Sequence, residues 1–126
     1  VKKFERYIAV DLDRTILEFD WEEFQKGGFY YFGEPKPGAV EGLKELRRRG
    51  FRVIIYSCRF SPAAYEGCKE TLEGALERVK RVFKKYGIIY DSIWLGRGKP
   101  LADYYIDDRA IQFTTWEEVL LKVKEE

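Results

Sequence analysis

An apolar run that stops at two carboxylates constrains this chain more than any other feature. Tyr7-Ile8-Ala9-Val10 reads as a short strand buried on both faces, and Asp11 and Asp13 follow at once, with Thr15 two residues further on. Paired acids at the end of a buried strand repel each other unless a cation or a shared proton offsets the repulsion. Open α/β sheets gather ligands at the carboxyl ends of their strands. The same acids can instead cap the next element and accept from backbone N–H groups, and this stretch alone leaves both readings standing.

Downstream, strands alternate with helices. A helix over about 39–49 turns Val40, Leu43 and Leu46 to one face, and Gly50 ends it. A second strand runs from Phe51 to Ser57. Residues 59–67 read as a loop, or as a helical turn begun by Ser61-Pro62. A longer helix carries Leu72, Leu76, Val79, Phe83 and Tyr86 at helical spacing and stops at Gly87. Ser92 to Leu95 is a third strand, Ala102 to Asp107 a fourth, and Ile111 to Phe113 a short fifth. Thr115 and Glu118 form a capping box for a last helix that turns Val119, Leu120 and Val123 inward.

This alternation predicts a single α/β domain over 1–126, a Rossmann-like three-layer sandwich with a central parallel sheet covered on both faces. Right-handed crossovers give the strand order 3-2-1-4-5. The loops holding Asp11, Ser57, Lys99 and Asp107 then meet at one switch point. Residues 16–37 are too short to be a domain of their own and form a flap. Asp20 would N-cap a helical turn there, Gly27-Gly28 would break it, and Pro35 and Pro37 would lead into the next helix.

Composition narrows the function classes. The 126 residues are 45% hydrophobic, enough for one core, and no repeat or low-complexity tract divides them. The 23 basic and 22 acidic residues nearly cancel, so no global field points to nucleic acid or a membrane. Arg47-Arg48-Arg49, Lys80-Arg81 and Lys84-Lys85 lie late in predicted helices, where they oppose the helix dipole. No apolar run is long enough for a membrane span and no signal-peptide pattern opens the chain, so a cytoplasmic protein is expected. With no His, Ser-His-Asp and Cys-His catalysis and His-containing zinc sites are excluded. Absence of Asn, only two Gln and 36% charged residues match the composition of thermophile proteins. In such a cell a Cys58–Cys68 disulfide is admissible, although reduced thiols are the default.

Asp11-Leu12-Asp13-Arg14-Thr15 resembles the Asp-x-Asp-x-Thr signature of the haloacid dehalogenase-like superfamily of phosphohydrolases, with Arg14 where many members have glycine. Three further features follow in that family's order: Ser57 after an apolar strand, Lys99 in Gly98-Lys99-Pro100, and the acid pair Asp107-Asp108 after Tyr104-Tyr105-Ile106. The resemblance implies a small, capless, Mg²⁺-dependent phosphatase that hydrolyses a phosphomonoester through an aspartyl phosphate. Asp11 would be the nucleophile and Asp13 the general acid, a residue that the dehalogenases and ion-pumping ATPases of the family lack. Mg²⁺ would sit between Asp11, the backbone carbonyl of Asp13, and Asp107, supported by Asp108 and Thr15. Ser57 and Lys99 would hold the phosphoryl oxygens.

Without a cap, the flap aromatics are expected to supply the substrate's outer contacts, with Tyr30 or Tyr31 facing the opening; core packing is the plainer account of them. An open site admits a bulky substrate or is closed by a second protomer, so a homo-oligomer is one expectation and a small phosphomonoester substrate another. A noncatalytic phosphate- or protein-binding domain that keeps the fold, and a phosphomutase, are the competing readings.

Overall fold

The computed structural model describes residues 5–123. Its first strand, β1 (Arg6–Asp11), is the apolar run, and Ile8, Ala9 and Val10 in its middle are 4%, 0% and 3% exposed. Both faces of the strand are therefore covered, as an unbroken apolar run requires. Next come α1 (Trp21–Gly27), α2 (Ala39–Arg48), β2 (Phe51–Tyr56), α3 (Leu72–Tyr86), β3 (Ser92–Ile93), β4 (Tyr104–Ile106) and α4 (Trp116–Lys122).

Among the described residues the sheet has four strands in the order β3-β2-β1-β4, all paired in parallel. The core joins β1 and β2 to Leu12, Ile16 and Leu17 of the following loop, Leu43 of α2, Phe60, and Val79 and Phe83 of α3. Burying each large apolar side chain contributes roughly 1.5–3 kcal/mol, so these residues pin β1 at the centre of the sheet. The helix boundaries agree with the local signals. Asp20 Oδ1 accepts from the backbone N–H of Glu22 and Glu23, and Gly50 and Gly87 end their helices at positive φ.

The register sets the level of each side chain at the carboxyl edge. Asp11 lies opposite Tyr56, and Val10 opposite Ile106. Asp11, Tyr56 and Asp107 therefore come out side by side, with Ser57 one residue beyond.

The expected fifth strand does not form. The chain leaves β4 through a turn in which Asp107 Oδ1 accepts from Arg109 N at 2.8 Å, and Ile111 and Phe113 remain 38% and 59% exposed. β4 is therefore an edge strand, and Tyr104 is 56% exposed. Helix α4 forms, with Thr115 Oγ1 accepting from Glu118 N, but Leu120 and Val123 are 70% and 55% exposed instead of buried. The apolar side chains of β4 stay partly open as well, with Tyr105 and Ile106 both 37% exposed. Asp103, exposed at the surface, accepts from Tyr7 N at 2.8 Å and ties the start of β4 to β1. No helix among the described residues is long and apolar enough to cross a membrane.

Candidate active site

β1 and β4 deliver three carboxylates to one place. Oxygens of Asp11, Asp107 and Asp108 lie within 4.8 Å of one another. Burial, with the neighbouring charges of Asp107 and Asp108, pushes the Asp11 carboxyl up to about 7. Asp107 moves the other way, because the Arg109 N–H and the Tyr56 hydroxyl (2.9 Å) both donate to its ionised form. An oxygen-only donor set under mutual repulsion fits a hard divalent cation such as Mg²⁺, whose charge would remove the repulsion. Thr15 Oγ1 lies 3.4 Å from Asp11 Oδ2.

Asp13 is not one of this trio, although it lines the same cavity. Its carboxylate oxygens accept from Arg59 Nη1 at 3.1 and 3.3 Å. Burial raises its pKa, and the guanidinium partly opposes the rise. The loop carrying it bends sharply, with Arg14 at φ 66 and Ile16 N and Leu17 N both donating to Leu12 O. A non-glycine residue in the left-handed region is strained, and such strain gathers at sites where geometry matters. Here it puts the Arg14 side chain on the cavity wall.

Ser57 stands where expected, at the end of β2. Its Oγ accepts from Arg59 N at 3.1 Å, which leaves the hydroxyl proton to donate elsewhere. Sequence reasoning missed Arg59, two residues on. Arg59 is 4% exposed, the one buried charged residue among those described. Besides Asp13, it donates to the carbonyls of Phe29 (3.0 Å) and Tyr31, and its guanidinium lies 4.3 Å above the Phe32 ring. Its Nε has no partner. The available signal was chemical: a buried Asp13 needs a counter-charge, and Arg59 is the basic residue nearest the end of β2. Tyr56, the hydroxyl on Asp107, was missed as well.

These groups, Thr15 excepted, line one cavity of about 460 Å³, together with Phe19, Trp21, Phe24 and Phe29. The tyrosines expected at its mouth are elsewhere. Tyr30 turns its hydroxyl to Thr71 N, with Arg78 over its ring, and so fastens the flap to α3. Tyr31 OH accepts from Asp20 N and holds the start of α1. Lys99 is not brought to the cavity either; its Nζ sits 3.8 Å from the centre of the Tyr105 ring. The cations on the cavity wall are Arg14, Arg59 and Arg109. Cys58 and Cys68 are both free, so the admissible disulfide is not made.

No family model matches the chain. Among solved structures it is similar to a conserved protein from Bacteroides thetaiotaomicron, 25% identical over 94% of this chain and 91% of that one, with a TM-score of 0.57. A Vibrio cholerae protein matches at 25% identity over 92% and 94% of the two chains, with a TM-score of 0.54. A D,D-heptose 1,7-bisphosphate phosphatase from B. bronchiseptica, complexed with magnesium and phosphate, is 14% identical over 75% of this chain and 51% of its own, at a TM-score of 0.49.

Proposed function

We propose that this chain, which resembles small haloacid dehalogenase-like phosphatases in its motifs and in its parallel α/β core, is a Mg²⁺-dependent phosphomonoesterase that works through an aspartyl phosphate. The observation that carries the reading is the convergence of Asp11, Asp107 and Asp108 within 4.8 Å, in one cavity with Asp13 and Ser57.

In this reading a carboxylate oxygen of Asp11 attacks phosphorus, and the bond to the leaving oxygen breaks. A carboxylate nucleophile divides one hard displacement into two easier ones. Asp13 gives its proton to the leaving oxygen and later takes one from the water that cleaves the aspartyl phosphate. Arg59 keeps the Asp13 carboxyl in position for both transfers. Ser57 donates its free hydroxyl proton to a phosphoryl oxygen. Arg14 and Arg109 supply the positive charge on the wall, and Lys99 joins them only by leaving the Tyr105 ring. Asp11, Asp107 and Asp108, with the backbone carbonyl of Asp13, would hold Mg²⁺. When bound, that ion supplies positive charge that lets a carboxylate approach a phosphate dianion.

The test is a phosphatase assay over a panel of phosphomonoesters, with and without Mg²⁺, using Asp11→Asn as the control. Phosphate release that needs both the ion and Asp11 supports the reading. No release from any ester would leave the noncatalytic phosphate-binding domain as the better account.

A further inference from the structure

We propose that the aromatic wall of the cavity is a leaving-group subsite that selects phosphomonoesters whose alcohol carries a flat ring. This rests on the phosphatase reading for its chemistry and names the substrate class of the same site. Phe19, Trp21, Phe24 and Phe29 line the cavity that also holds Asp11 and Ser57. Their rings form one continuous surface. Trp21 stacks on Phe24 at 5.6 Å and 27°, Phe19 meets Phe24 at 5.4 Å, and Phe29 meets Phe24 edge-on at 5.6 Å.

That surface is held from behind. The Phe29 ring lies 4.7 Å from Tyr65, and the Arg59 guanidinium lies 5.3 Å from the centre of the Phe24 ring. A rigid wall loses little freedom when it binds a flat partner. Core packing accounts for the inner rings but not for Trp21, which is 58% exposed in the first turn of α1. One face of its indole rests on Phe24, and the exposed remainder offers a stacking surface in the same cavity as the acid cluster. The wall's only side-chain hydrogen-bonding group is the Trp21 N–H, so a polyol or a bare sugar finds little to satisfy its hydroxyls there. A cavity of about 460 Å³ has room for a phosphate and a ring system.

The experiment compares KM, in Mg²⁺, for 1-naphthyl phosphate, thymidine 5′-monophosphate and glycerol 2-phosphate, in the wild type, Trp21→Ala and Trp21→Phe. In parallel, calorimetry compares the binding of 1-naphthylmethyl phosphonate and methyl phosphonate to the same proteins. At least one ring-bearing ester is expected to show a KM about 10-fold below that of glycerol 2-phosphate. Trp21→Ala should erase that ratio and Trp21→Phe should restore most of it. Whichever ring-bearing ester is preferred tells whether the ring sits on the ester oxygen or one sugar away. Equal KM values, or a ratio that survives Trp21→Ala, overturn the subsite. If the wild type hydrolyses none of the esters, the phosphatase reading falls, and the phosphonates decide the subsite alone. Tighter binding of the naphthylmethyl compound, lost in Trp21→Ala, upholds it, and equal binding overturns it.

Discussion

The Arg59 guanidinium stands 3.1 Å from Oδ1 of Asp13, and the two side chains are only 5% and 19% exposed. The same guanidinium donates to the flap carbonyls of Phe29 and Tyr31. Placement of the acid and placement of the flap are thus one structural event, made by a single side chain.

Removing that side chain should be costly to the fold. Arg59→Ala leaves a half-buried carboxylate without its partner and two flap carbonyls without a donor. A loss of about 3 kcal/mol is expected, read as a lower urea midpoint at unchanged slope. Arg59→Lys keeps the charge but not the fork that spans three acceptors, and should recover only part of the loss. A wild-type midpoint for Arg59→Ala would show the pair to be idle.

Asp11 makes the metal-free protein sensitive to pH. Its folded pKa of about 7 exceeds the ordinary 3.8, so between these values the folded state holds a proton that the unfolded state releases. Stability from this group is therefore greatest at the acidic end of the window and declines as pH rises toward 7. Asp107, shifted downward, titrates below this window. In chelator, the Tm of the wild type should fall between pH 5 and pH 8 more than that of Asp11→Asn. The variant should be the more stable protein at pH 8, by several degrees. Parallel melting curves across that range would refute the crowding of carboxylates.

Metal removal should silence hydrolysis. With excess chelator, turnover of 4-nitrophenyl phosphate is expected to drop at least about 100-fold and to return with Mg²⁺. Mg²⁺ at about 100 times its Kd should also stabilise the fold by about 2.7 kcal/mol. Full activity in chelator would sink the cation assignment.

Asp13→Asn should discriminate by leaving group. A general acid contributes roughly 10²–10⁴-fold where the leaving oxygen needs a proton, and far less for nitrophenolate. Hydrolysis of an alkyl phosphate is expected to suffer at least about 10-fold more than that of 4-nitrophenyl phosphate. Equal losses would assign Asp13 to support of the flap through Arg59.

Local signals in the chain are well reflected in the structure, because capping and glycine preferences act within a few residues. Asp20, Gly50 and Gly87 end or begin helices where their chemistry predicts. The order of the four strands follows from right-handed crossovers and apolar runs. What failed was partner choice at long range. Periodicity marks Leu120 and Val123 as apolar but cannot say whether they meet a surface, and among the described residues both stay exposed. The aromatic content of residues 16–37 was plain, yet the roles were exchanged. Tyr30 and Tyr31 have hydroxyls that find backbone N–H groups away from the cavity, which leaves the all-carbon rings and Trp21 to line it. Arg59 was missed for the same reason, since its acceptors on Asp13 and Phe29 lie 46 and 30 residues away.

Arg59 grips the flap through main-chain oxygens, which every residue possesses. The identities of the rings at positions 19, 21 and 29 are therefore not written into the latch, whereas the Phe24 ring lies under the guanidinium itself. In the phosphatase reading, substitution along the flap would change which alcohol is welcomed while Asp13 keeps its place beside Arg59. In that reading, descendants of this sequence would diverge in diet without rebuilding the acid cluster, and a library randomised at these three positions is the natural starting point for retargeting the protein.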